Sequence, residues 1–357
     1  MTSRRARQVA RRHRVTLRRV PTEYEVFEVA GREIRISNPA KVYFPRSGWT
    51  KGDLARYHVE CADALLVQLR ERPTMLKRFP GGIESKPIYQ KRVPEKPPEW
   101  LQTAALKFPS GREAEELVPV DAAHLLWAVS LGNVDWNPHP VRRADLDHPD
   151  ELRVDIDPGP KAAWDRVRRV ALLADEVLRE HGLVGFPRTS GSRGMHVMVR
   201  IHPEWDFTTV RAAALSLARE IERRAGGMAT SKWWKEERPP DAVFVDYNQN
   251  AKDHTVAAGY SIRPVADARV ACHVRWDEVP DCELGDFRID TVPERLRTVG
   301  DPSADIDAHA GSLESLLALA RADAAERGLG DAPWPPHFAK QPGEPKRVQP
   351  GRARSDT

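Results

Sequence analysis

The 357-residue sequence has no apolar run near the roughly 18 residues that a membrane-spanning helix needs, so no membrane association is expected. Only three cysteines are present, Cys61, Cys272 and Cys282, with no C-x-x-C pair. An odd number of widely spaced thiols excludes a disulfide scaffold and a zinc knuckle and suits a reducing cytoplasm. The Arg-rich first residues are not followed by an apolar stretch, so they do not form a secretory signal. No internal repeat is found. The pattern G-x-x-x-x-G-K-[ST] is missing, which excludes a Walker-type phosphate loop.

What is present is charge, unevenly spread. Hydrophobic residues make up 40% and charged residues 30%, enough apolar material for a real core. Residues 1–20 hold eight Arg and no acid, and residues 340–357 hold five basic and two acidic residues. With a total of +4, the rest of the chain is −7. Within that remainder, residues 32–96 have 14 Lys/Arg against 7 Asp/Glu. A basic N-terminal third beside an acidic remainder suits an enzyme that holds a polyanion and binds metal.

The hydrophobic pattern predicts a basic disordered arm over 1–22 and a β-hairpin over 23–37 around Ala30-Gly31. A helix follows over 50–72, capped by Thr50, with Leu54, Tyr57, Cys61, Leu65 and Leu69 on one stripe. A Pro/Lys-rich surface loop is expected over 87–100 and a short helix over 121–132. Beyond them come a strand at "ELRVDIDPGP" (151–160), a helix over 162–181, a strand over 195–201, a helix over 209–225 and a strand over 242–250. The last helix spans 313–326. The expected fold class is α+β, a mixed sheet with packed helices.

Four groups of residues carry chemistry. In 151–160, Leu152, Val154 and Ile156 alternate with Arg153, Asp155 and Asp157, so the two aspartates share a face about 7 Å apart. Asp246 shares a face with Phe244 on another strand. Three strand-borne carboxylates suit Mg²⁺ or Mn²⁺, although a D-x-D before Pro is also a plain turn opener. In "RTSGSRGMHVMV" (188–199), the small residues Ser190, Gly191, Ser192 and Gly194 let backbone N–H groups approach anionic oxygens. Arg193 adds charge and His196 adds a donor; an ordinary hairpin loop with a half-buried His is the alternative. In "KRFPGGIESKPIYQKRVP" (77–94), Lys77, Arg78, Lys86, Lys91 and Arg92 interleave with Phe79 and Tyr89, a mixture suited to nucleic acid or to a solvated loop. Arg263, in "GYSIRP", can clamp a triphosphate or sit in an ion pair.

"KVYFPRSGWTKGDLARYH" (41–58), "MLKRFPGGI" (75–83), "VDIDPGP" (154–160), "TSGSRGMHV" (189–197), "VFVDYNQN" (243–250) and "GYSIRP" (259–264) occur in one order. In that order they resemble the polymerase domain of bacterial ligase D, of the archaeo-eukaryotic primase superfamily, in a stand-alone actinobacterial form. The resemblance covers about residues 22–297. It implies an RRM-like catalytic palm over about 151–297 joined to an N-terminal α/β portion over about 23–150. Residues 298–339 would be a helical extension, 340–357 a disordered basic tail, and no ligase or nuclease module is expected.

By resemblance, Asp155, Asp157 and Asp246 hold two Mn²⁺ or Mg²⁺ ions. Lys77, Ser190, Arg193, Gly194, His196, Gln249 and Arg263 bind the incoming nucleotide, with Arg193 where the family usually has Lys. Lys41 and Lys51 match residues that hold a DNA 5′-phosphate, and Ile88 and Tyr89 match a template-packing pair. Asn137 stands where the ligase D form has a histidine, with His139 two residues on.

The implied activity is template-dependent addition of nucleotides, preferably NTPs, to a primer 3′-OH in gapped DNA during repair or end joining. Expected partners are DNA, NTP or dNTP, a separate ATP-dependent DNA ligase and an end-binding protein, in the cytoplasm at the nucleoid. The alternatives are a catalytically silent DNA-end-binding module and a D-x-D glycosyltransferase acting on nucleotide sugars.

Overall fold

The computed structural model describes residues 23–347 except 109, 337, 341 and 343. The arm expected over 1–22 and residues 348–357 of the expected tail lie outside the described residues. An antiparallel hairpin, β1 (Tyr24–Val29) and β2 (Arg32–Ser37), comes first. Its turn residues Ala30 and Gly31 have φ of 49° and 71°, the left-handed pair required by a tight two-residue connection. A short ladder, β3 (Val42–Phe44) with β4 (Trp49–Thr50), leads into α1 (Lys51–Glu60), where Thr50 and Asp53 close a capping box. The single helix expected over 50–72 is two: α1 bends at Cys61 (φ −101°, ψ 10°) into α2 (Ala62–Leu69). Cys61 N–H still donates to Tyr57 and Leu65 N–H to Cys61, so the buried stripe stays continuous across the bend.

One sheet collects β5 (Thr74–Arg78), β6 (Ile88–Gln90), β7 (Thr103–Lys107), β8 (Glu113–Leu117) and, after α3 (Ala122–Ser130), β9 (Asn133–Pro138). β9 pairs with β5 along its length from Thr74 to Arg78, while β6 pairs Leu76–Arg78 and β8 pairs Thr74 on the other edge of the same strand. The surface loop expected over 87–100 therefore starts with a strand. Its pairing of Lys77 with Tyr89 and Arg78 with Ile88 is a long-range contact that local composition does not encode.

The second sheet is built from β10 (Glu151–Pro158), α4 (Trp164–Glu180), β11 (Gly185–Thr189), β12 (Met195–Arg200), α5 (Phe207–Arg224), β13 (Ala229–Thr230) and β14 (Val243–Asp246). Its strand order is β11-β12-β10-β14-β13, antiparallel except for β13 beside β14. The expected α+β architecture with a mixed sheet is thus present, and β10-α4-β11-β12-α5-β14 is a β-α-β-β-α-β unit.

Leu152, Val154 and Ile156 of β10 are buried in one core with Val170 and Ala174 of α4 and Val210, Ala213 and Leu217 of α5. Each Val, Leu or Ile side chain among them contributes about 2 kcal/mol by burial. A one-residue slip would push Arg153 and Asp155 into that core, so the register of β10 is strongly specified.

The strand expected over 242–250 ends at Asp246; Tyr247–Asn250 is a 3-10 turn. Asp246 Oδ1 accepts from Asn248 N–H at 2.9 Å, a local side-chain bond that competes with the ladder. α6 (Val292–Thr298) and α7 (Glu314–Arg327) follow. Part of the stretch expected as a disordered tail is instead packed: Glu344 is buried, accepts from Trp334 N–H at 2.9 Å and pairs with Arg347.

Candidate active site

The odd-numbered residues of β10, Glu151, Arg153, Asp155 and Asp157, occupy the face opposite the helix-packed one. At the start of the strand these charges are matched. Buried Glu151 accepts from Arg153 Nε at 2.8 Å and from Arg200 Nη1 at 2.5 Å. Arg200 also bonds Asp307, and Arg72 and Arg142 bond Asp150 at 2.6 and 2.7 Å. Burial alone would raise the Glu151 pKa, but Arg72, Arg153 and Arg200 outweigh it and hold the carboxyl well below its usual range.

At the other end the charges are unmatched. Asp155 lies between His196 of β12 and Asp246 of β14, its direct cross-strand partners. Like charges facing each other across two strands repel. Burial pushes the Asp155 pKa up to about 6 against the pull of Arg188 and Arg263. The charge of Asp155, more than burial, pushes the solvent-open Asp157 to about 6. Burial and then Asp155 push Asp246 to about 7.

Among the described residues, no three acidic, imidazole or thiolate side chains are already closed into a metal cage. The donor set nevertheless fits a divalent cation: three hard carboxylates, placed side by side by backbone register, carry negative charge that the protein leaves largely uncompensated.

The Ser190–Gly194 loop closes the β12 flank. Ser190 Oγ accepts from Ser192 N–H at 3.2 Å and Gly194 N–H at 3.0 Å. A Cβ on Gly194 would lie 2.3 Å from Ile156 O, and one on Gly191 (φ +63°) would lie 2.5 Å from Arg263 Cγ. The glycines therefore let the loop seat against both the aspartate strand and Arg263. Arg193 is exposed. His196 is buried, with Nε2 3.3 Å from Asp155 Oδ1 and Nδ1 3.3 Å from Arg188 Nε. A guanidinium only donates, so Nδ1 accepts and the ring proton sits on Nε2, facing Asp155. Burial and the Arg188 charge hold the imidazole well below its usual range, hence neutral.

Across the cleft, buried Asp135 of β9 gathers the cations. Arg263 Nη1 is 3.4 Å and Lys77 Nζ 3.9 Å from its carboxylate, and Ser261 Oγ donates to it at 3.3 Å. Arg263 Nε, also buried, has no hydrogen-bond partner among the described residues. Gln249 Nε2 donates to Asp246 at 3.3 Å. Asn137 is buried beside them and donates to Asp135 O, whereas His139 turns away to Glu116 at 3.2 Å.

The fold thus brings Asp155, Asp157, Asp246, Ser190, Gly194, His196, Gln249, Arg263 and Lys77 to one cleft. Lys41 and Lys51 form a separate group. Lys41 is exposed and donates to Pro80 O at 2.6 Å. Lys51 is only 6% exposed and donates to Ser130 O at the end of α3. Burial, then Lys41 and Arg78, lower its pKa.

Ile88 and Tyr89 are 46% and 61% exposed on β6. They line an open groove of about 1300 Å³ with Lys91, Arg92, Phe108 and Arg112, and Lys77 Nζ lies 5.6 Å from the Tyr89 ring.

Arg188, Asp135 and Arg238 were not singled out from the sequence. Arg188 carries a legible signal, since it alternates with Ser190 ahead of the loop. Asp135 acts through pairings distant in sequence, with Lys77 and Arg263, whereas Arg238, whose guanidinium lies 3.3 Å from the Phe244 ring centre, acts within the segment that leads into β14.

The family model described as "LigD, primase-polymerase domain" matches residues 50–303. The multifunctional non-homologous end joining protein LigD of Pseudomonas aeruginosa is 30% identical over 296 residues, covering 81% of this chain and 34% of that protein. The protein of the same name from Mycolicibacterium smegmatis is 28% identical over 285 residues, 79% of this chain and 37% of that protein. The chain therefore spans between a third and two-fifths of these relatives. A solved structure, the polymerase domain of Mycobacterium tuberculosis ligase D in complex with DNA, aligns with a TM-score of 0.73 at 28% identity, covering 77% of this chain and 98% of that one.

Proposed function

The chain belongs to the LigD primase-polymerase family, nucleotidyltransferases of DNA repair by non-homologous end joining, and from that premise we propose that it adds nucleotides to a primer 3′-OH opposite a template in gapped DNA. The observation that carries this reading is the uncompensated cluster of Asp155, Asp157 and Asp246, flanked by a glycine-rich loop and by Arg263 and Lys77. Polymerase domains of this family are metal-dependent. Here the three aspartates would hold two Mn²⁺ or Mg²⁺ ions, which supply charge neutralisation to the reacting phosphate.

The chain's own residues bind and orient. The triphosphate lies along the Ser190–Gly194 loop, its oxygens facing the loop, Arg193, Arg263 and Lys77. Asp135 holds Arg263 and Lys77 in place. His196 presents its Nε2–H on the same side, kept as a neutral donor by Arg188. The primer 3′-oxygen bonds to the α-phosphorus, the bond to the bridging oxygen breaks, pyrophosphate leaves and the hydroxyl proton passes to solvent. Positioning and electrostatics carry the step.

NTPs are the preferred substrates in this reading. Tyr89 and Ile88 pack on the template. Exposed Lys41 meets a 5′-phosphate across the gap, with Lys51 fixing the ground beneath it. Residues 23–297 form the polymerase domain, palm from about 151, and 298–339 an extension. A separate ligase and an end-binding protein complete the repair in the cytoplasm; no helix among the described residues is long and apolar enough to cross a membrane.

The test is extension of a labelled primer across a short gap, with Mn²⁺ and each NTP or dNTP in turn. Extension by the parent protein, lost in D155N/D157N, is expected. Extension that persists in that variant overturns the reading.

A further inference from the structure

The segment joining β13 to β14, residues 231–242, holds a feature that the catalytic reading does not use. It reads "SKWWKEERPPDA" and places two adjacent tryptophans, Trp233 and Trp234, half-exposed to solvent. Neither ring is among the side chains packed on the hydrophobic core. Partly exposed tryptophans carry a large apolar area that solvent does not favour.

This segment is fixed at both ends. At its start, Thr230 Oγ1 and Ser231 Oγ donate to Glu222 of α5 at 3.2 and 2.6 Å. At its end, Gly159 N–H donates to Ala242 O and Lys161 N–H to Pro240 O, both at 2.9 Å. A Cβ on Gly159 would lie 2.5 Å from Pro240 O, so the glycine after Asp157-Pro158 is what admits this approach. Arg238 ties the middle down: Nε donates to Lys232 O at 2.7 Å and Nη2 to Trp233 O at 2.5 Å, while its guanidinium covers Phe244, the cross-strand partner of Asp157. The Trp233 ring is 6.5 Å from that of Tyr247, which directly follows Asp246. Trp233 is therefore tied through Arg238 to the neighbourhood of Asp157 and Asp246, with the Trp234 ring 6.5 Å from its own.

Sheet order gives them a side. The Ser190–Gly194 loop joins β11 to β12, on one flank of β10; the tryptophan segment joins β13 to β14, on the other. The aspartates lie between. In an in-line displacement the entering and leaving oxygens are on opposite sides of the phosphorus. With the triphosphate on the β12 flank, the primer terminus must arrive from the β14 flank.

We propose that Trp233 and Trp234 form the platform on which the terminal nucleotide of the primer strand stacks. This rests on the polymerase reading above. Stacking rather than charge dominates, because Lys232, Lys235 and Arg238 are nearly balanced by Glu236 and Glu237. Stacking on an aromatic ring is sequence-tolerant, as a primer site must be.

The test uses the full chain with a gapped primer–template carrying 2-aminopurine either at the primer 3′ terminus or at the templating base. For W233A/W234A the primer–template KM should rise about 10-fold or more, with the KM for the nucleoside triphosphate unchanged. The effect should persist at high salt. Fluorescence quenching at the primer terminus should be lost, that at the templating base kept, and W233F/W234F should restore both KM and quenching. An unchanged primer KM and quenching in W233A/W234A would overturn the proposal. So would an equal rise in both KM values, which marks a merely structural role. A parent protein that neither binds nor extends the primer removes the polymerase reading and this platform with it.

Discussion

The two ends of β10 show what a single polar strand face can be used for. Glu151 and Arg153, at one end, sit in a buried network with Arg72, Arg200 and Asp307, every charge close to an opposite one. Asp155 and Asp157, two and four residues further along, meet a third carboxylate, Asp246, and a neutral imidazole. The same alternation gives a depressed pKa at one end and raised ones at the other. The difference lies in the neighbouring strands: arginines approach Glu151, whereas aspartate and histidine approach Asp155. A fold that neutralises one end so thoroughly leaves three carboxylates together at the other, where the proposed cation would bind.

Four changes break or sharpen that contrast. The largest effect is on chemistry: D155N or D246N should lower primer extension by at least about 10²–10³-fold, read in single-turnover assays. Next, the two ends should respond oppositely to neutralisation. E151Q strands Arg153 and Arg200 in the interior and should cost about 3 kcal/mol in urea denaturation. D246N removes a carboxylate whose pKa is raised to about 7. It should stabilise the metal-free protein at pH 8 by up to about 4 kcal/mol, given roughly 1.4 kcal/mol per pKa unit.

The pH profile of the metal-free protein follows from the same signs. Glu151 has a depressed pKa and contributes above the ordinary carboxylate range, its share being lost as the medium becomes strongly acidic. The three aspartates have raised pKa values, so the stability associated with their protonated forms is lost as pH rises through 6 to 7. Thermal unfolding should therefore show a maximum near pH 4, a decline from there to about pH 7 and little further change above it. A profile flat from pH 5 to 8 would contradict the assignment. The smallest effect should be at the edge of the basic third, where K41A lowers the preference for a gap with a 5′-phosphate by only a few-fold, since one phosphate contact contributes about 1 kcal/mol.

The acidic end was largely legible in the sequence. Period-two alternation put Asp155 and Asp157 on one face, and Asp246 followed from its own short strand. The β1–β2 hairpin was legible because Ala30-Gly31 is a local turn signal, and Thr50 because capping is local. What was not legible depends on pairing. Nothing near Arg188 says that it will point at His196 Nδ1, and nothing near Asp135 says that Lys77 and Arg263 will converge on it. Strand β6 hides in a Pro/Lys-rich window because its ladder partner is ten residues or more away. Lys51 reads as one more surface cation, yet the end of α3 buries it.

The central claim is that Asp155, Asp157 and Asp246 are held unneutralised for an external divalent cation. It is tested most directly by unfolding temperature against Mn²⁺ concentration at pH 7.5, in the parent and in D246N. The account predicts that Mn²⁺ raises the parent's unfolding temperature several degrees, saturably, and leaves the variant almost unmoved. A parent that does not respond to Mn²⁺, or a variant that responds equally, would contradict it.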